Sequence, residues 1–213
     1  MTLPNAHKGV KKVFIAEILQ IISLLLMVAG VISLIGAAGV VLETGQAEEA
    51  AGVMATGGIF TILALVLSIL ALVLNLVGLK QASKDEPDRM AKAFTCAIIA
   101  LVLSIIVAIC QCMEWEAAGF FNVLVSLAQM CAIIFTIMGV SEVTQNIARQ
   151  DVADMGPKII VIVAIAIVAS IIVGIIGGQI GGAVAVVALA LMIVAYFVFL
   201  VFLGRATSAL AKG

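Results

Sequence analysis

Few residues in this chain have types and spacing suited to chemistry. Only 11 Lys and Arg, 12 Asp and Glu, one His and four Cys occur among 213 residues. The most notable is Glu17, an ionisable group inside a long apolar run. It follows Lys12 by five residues, which on a helix puts it about 7–8 Å into a bilayer. Gln20 lies one turn further on, and Asn75, five residues before Lys80, falls at a similar depth. Charge within a membrane is expensive and commonly marks an ion or substrate path. Glu17, Gln20 and Asn75 are therefore a candidate intramembrane polar site. The competing reading is that Glu17 snorkels to the interface or pairs with a neighbouring lysine.

A second constellation is Asn122, Ser126, Gln129, Ile133 and Thr136, spaced 4, 3, 4 and 3 residues apart. That spacing sets one polar stripe along one helix. Asn122, Ser126, Gln129 and Thr136 either line a path or hydrogen-bond a neighbouring helix.

Other chemistries lack their parts. Cys96, Cys110, Cys112 and Cys131 form no CxxC, and His7 is the only histidine. Cys110 and Cys112 would point about 200° apart on a helix and cannot chelate together. Gly177 to Gly182 is glycine-rich, but it has no Lys and no strand before it, so it reads as a turn between helices and not as a phosphate loop. No Ser/His/Asp set or zinc motif is present. The expectation is a non-enzymatic protein with no cofactor, no metal and no nucleic-acid partner.

The elements that must hold these residues are membrane helices. Hydrophobic residues make up 65% of the chain and charged ones 11%, against roughly a quarter charged in a soluble domain. Mean hydropathy is +1.36. Crossing a hydrocarbon core takes about 20 apolar residues. Six segments qualify: about Val13–Leu42, Gly52–Leu79, Ala93–Met113, Gly119–Val143, Ile159–Ile176 and Gly182–Leu203. None alternates at period two, as barrel strands would. The expected fold is an all-α, polytopic, six-transmembrane-helix bundle forming a single domain. The first run, thirty residues long, is far longer than a signal-peptide core and reads as a retained span.

Charge orients the spans. All eleven cations fall in the N-terminal segment, the second and fourth connections and the C-terminal segment. The three opposite loops carry no cation but hold Glu43, Glu48, Glu49, Glu114 and Glu116. By the positive-inside rule both termini are cytoplasmic. The expected setting is a bacterial cytoplasmic membrane, with the lipid bilayer, other membrane proteins or a second copy of the chain as partners.

The spans read as three tandem helical hairpins, about 11–82, 91–145 and 157–208. Each odd-numbered helix has a Lys followed twelve residues later by Ser: Lys11/Ser23, Lys92/Ser104 and Lys158/Ser170. Pro4, Pro87 and Pro157 each stand at the start of an odd-numbered helix, where the missing N–H costs nothing. Asp85 and Asp154 lie just upstream of such helices, as N-cap residues do.

Lipid tails are as apolar as leucine, so helices associate in membranes through small residues and interhelical hydrogen bonds. The second helix has a full stripe of these: Gly57, Thr61, Ala64, Ser68, Ala71, Asn75, Gly78 and Ala82, at heptad spacing. The first carries Ala16, Gln20, Ser23, Met27, Gly30 and Ala37. The third has Ala93, Ala97, Ala100, Ser104, Ala108 and Gln111, and the fifth Ala166, Ser170, Gly174 and Gly178. Two functions are expected, the first from these seams and the second from the polar stripe of the fourth helix, the Glu17, Gln20 and Asn75 group and the repeat. One is an accessory, assembly or scaffold subunit working by helix–helix contact. The other is a small transporter or channel for a neutral or hydrophobic solute.

Overall fold

The computed structural model describes residues 3–44, 47–115, 117–176 and 182–211. Helices account for all regular structure among them: α1 (Pro4–Thr44), α2 (Ala47–Ala82), α3 (Arg89–Cys112), α4 (Ala118–Asn146), the single turn α5 (Gln150–Ala153), α6 (Met155–Ile176) and α7 (Gly182–Leu210). Among the described residues five helices are long and apolar enough to cross a membrane, within α1, α2, α3, α4 and α7. Residues 177–181 of the glycine-rich turn and Glu116 lie outside the described residues, as do the side chains of Glu43, Glu48, Glu49 and Ser170 and the burial of Gly174.

The chain forms two compact units, Ile15–Asn75 and the remainder, Met1–Phe14 with Leu76–Gly213. In the first, α1 and α2 meet through one small residue per heptad. Ala16, Ser23, Gly30 and Ala37 are buried on α1, and Gly57, Ala64 and Ala71 on α2. A repeat of seven keeps the seam on one face of helices that coil left-handed around each other. The backbones come close. A Cβ on Gly30 would lie 2.7 Å from Thr61 Oγ1 and 3.0 Å from the Gly57 carbonyl oxygen. Buried Ser23 donates its hydroxyl across the seam to the Ala64 carbonyl at 2.7 Å and also meets Ser68 Oγ at 2.6 Å. The bulky side chains turn outward, with Leu25 64% and Ile62 66% exposed.

Two expected members of the α1 stripe, Gln20 and Met27, are exposed. The helices approach so closely at the small positions that the residues four further along fall outside the contact.

The second unit packs differently. Its core gathers large side chains at the helix ends that carry the lysines and arginines: Val10 from α1, Leu79 from α2, Met90 from α3, Ile137 and Val143 from α4, Ile159 from α6, and Phe199, Phe202 and Leu203 from α7. Small residues still set the closest approach. A Cβ on Gly9 would lie 2.6 Å from both the Ala82 nitrogen and the Gly78 oxygen. Along α3 the buried positions are Met90, Ala93, Ala100, Val107 and Cys110. Ala108 and Gln111, expected in that seam, are exposed. The stripe has slipped by one residue at its far end, where Val107 and Cys110 fill the contact.

Two helices end on a non-glycine residue in the left-handed region, Glu114 at φ 53° and Ala148 at φ 59°. In both, the next residue's N–H reaches back five residues to a carbonyl, Trp115 to Cys110 at 2.9 Å and Arg149 to Thr144 at 3.0 Å. This is the Schellman ending, in which glycine is the usual occupant of the left-handed position.

Candidate functional site

Glu17 and Asn75 come together. Asn75 Nδ2 donates to Glu17 Oε1 at 3.3 Å, joining α1 to α2, and both residues are partly buried. Gln20 is turned away and exposed. The candidate polar site is thus a carboxylate–amide pair rather than a cluster of three. A carboxylate accepting from an amide is better placed in a low-dielectric span than one left alone.

The α4 stripe divides along its length. Thr136 is buried and donates its hydroxyl to the Ala132 carbonyl of its own helix at 2.7 Å. Ser126 likewise donates to the Asn122 carbonyl at 3.1 Å. Asn122 and Gln129 are exposed on the surface of α4, and their side-chain amides have no hydrogen-bond partner among the described residues. Gln129 lies thirteen residues from Glu142, about 20 Å along the helix. In a hydrocarbon core of about 30 Å, an amide at such a depth without a partner would cost roughly 2–7 kcal/mol.

The connection between α2 and α3 holds two carboxylates that bind different helices. Asp85 accepts from the N–H of Asn5 at 2.9 Å, the N–H of Ala6 at 2.8 Å and the Asn5 side-chain amide at 2.9 Å. It therefore caps α1, not the α3 start expected from its position in the chain. The Gly9–Gly78 approach brings the start of α1 beside the end of α2, so the orphan N–H groups of α1 face Asp85. Glu86, only 5% exposed, caps α3 instead. It accepts from Arg89 N at 2.9 Å and Met90 N at 2.6 Å. Both carboxylates sit at the positive end of a helix dipole. The glutamate's role carried a faint local signal, an acid directly before Pro87 at a helix start. The Asp85 contact spans 80 residues and had none. Asp154 directly precedes α6.

Ion pairs at this end are exposed. Arg89 lies 3.8 Å from Glu142, and Arg149 lies 3.0 Å from Asp151. The hydrogen bond from Arg149 holds the Asp151 carboxyl below its ordinary range. Lys12 Nζ donates to Gln81 Oε1 at 2.7 Å. A groove of about 330 Å³ lies against Pro87, Asp88, Lys92, Thr95, Cys96 and Phe135, away from the α4 amides. All four cysteines are free thiols, and no group of three metal-ligating side chains occurs among the described residues.

Ser23 and Ser104, equivalent in the Lys–Ser spacing, do different things. The first bonds across to α2, whereas Ser104 donates to the Ala100 carbonyl within α3 at 2.8 Å.

No family model, curated protein or solved structure matches the chain. Its functional reading rests on its own residues.

Proposed function

We propose that this chain is a non-enzymatic integral membrane protein that works by helix–helix contact within the bilayer, as an accessory, assembly or scaffold subunit. It crosses six times, as three tandem hairpins with both termini cytoplasmic. The span added to the five long apolar helices is α6, fifth in chain order, 22 residues long and carrying Lys158 as its only charge. The segregation of cations supports the orientation.

One observation carries the contact reading: Gln129, about 20 Å from Glu142 along α4, is exposed on the surface of that helix. Outward amides in lipid are satisfied by another helix, and polar side chains of this kind join transmembrane helices. Chemical crosslinking in native membranes tests it. Discrete higher-mass complexes are expected; a chain recovered only as an isolated monomer contradicts it.

The Glu17–Asn75 pair favours a second reading, transport of a small neutral or hydrophobic solute. Under it, Glu17→Gln changes uptake in reconstituted vesicles. Equal uptake by the variant and the native chain removes Glu17 from any path.

A further inference from the structure

We infer that the outer half of α4 is a docking seam for a second copy of this chain, with Gln129 of the two copies hydrogen-bonded to each other inside the bilayer. The inference rests on the contact reading and names its partner. Gly119, Asn122, Ser126 and Gln129 follow at spacings of 3, 4 and 3, the heptad rhythm of a left-handed helix pair. Among the described residues nothing lies within 4 Å of where a Cβ on Gly119 would stand, so another backbone can approach there. Asn122 and Gln129 are exposed, and their side-chain amides are unpartnered among the described residues.

The chemistry of the seam selects a second copy. A side-chain amide carries both a donor and an acceptor, so it is complementary to itself. Two copies inserted in the same orientation are related by a twofold axis along the membrane normal. Such an isologous contact sets each residue near the axis opposite its own counterpart. Gln129 then meets Gln129 at one depth, and Asn122 meets Asn122. A different protein would have to supply amides at matching depths by coincidence. The lower part of the same stripe, from Thr136 onward, is already closed by the chain's own core, so the seam is confined to the half that remains open.

Oxidative crosslinking in membranes tests this. Cys96, Cys110, Cys112 and Cys131 are first replaced by Ala, and single cysteines are then introduced as Gln129→Cys, Asn122→Cys and, on the far side of the helix, Leu127→Cys. The first two should give a disulfide-linked species of twice the chain mass, and Leu127→Cys should not. Equal crosslinking at all three positions, or monomer alone, overturns the proposal. An adduct of Gln129→Cys with a chain of another mass overturns the second copy but leaves the contact reading intact. The native-cysteine chain gives an independent check by energy transfer between labelled copies in vesicles. Gln129→Leu should weaken self-association roughly three- to seventeenfold, and Gln129→Asn should retain most of it. Undiminished association of Gln129→Leu excludes the amide pair.

Discussion

The Ile15–Asn75 hairpin and the rest of the chain bury opposite kinds of residue. Among the described residues the hairpin encloses Ala, Gly and Ser and no large side chain; Ser23 is its only described member among the largest fully buried residues. The other unit encloses Phe202, Leu203, Met90, Leu79 and Ile137. The proposed membrane setting accounts for the difference. Within lipid a leucine gains nothing by leaving the acyl chains for another helix, so contact goes to residues that let backbones touch. The basic helix ends would stand near water, where burying a large apolar side chain again removes surface from water.

The comparison can be broken at its strongest point. Phe202→Ala, in the large-residue core, should cost about 3–5 kcal/mol, read as a lower midpoint in thermal or denaturant unfolding in detergent. A loss below about 1 kcal/mol would mean that the basic-end core does not hold the unit together. Next come the glycines. Gly9→Ala forces a methyl to 2.6 Å from backbone atoms and should cost about 1–3 kcal/mol. Gly36→Ala has open space and should be neutral or stabilising by up to about 1 kcal/mol. Equal effects of the two would contradict close backbone approach. Asp85→Ala removes three hydrogen bonds from the start of α1 and should cost about 1–2 kcal/mol, with amide exchange quickened at Asn5 and Ala6. Ser23→Ala should lose about 0.6–1.7 kcal/mol of hairpin stability. Ser104→Ala, which loses only a bond within its own helix, should change stability less. A reversed order would mean that the interhelical hydroxyl is not what distinguishes the first hairpin.

Much of this was legible because heptad spacing is a local property. The α2 stripe was readable in full: Gly57, Ala64, Ala71, Gly78 and Ala82 are buried, and Thr61, Ser68 and Asn75 between them are partly so. Along α1 the small residues were readable, but Gln20 and Met27 were not excluded, since spacing alone does not report how narrow a seam becomes when glycine draws the axes together. The slip on α3 to Val107 and Cys110 is a one-residue drift that a stripe of alanines cannot reveal. Pairing of Glu17 with Asn75 followed from equal depth. The capping of α1 by Asp85 did not, because it depends on two segments far apart in the chain.

Oxygen accessibility of single nitroxide labels, placed in turn from Ile62 to Val73 in reconstituted bilayers, reports most directly which face of α2 meets lipid. Collision rates should dip at Ala64 and Ala71, with Ser68 intermediate, and peak at Ile62, Leu65 and Ile69. Minima at the leucines and isoleucines, with Ala64 and Ala71 freely reached by oxygen, would contradict contact through small residues.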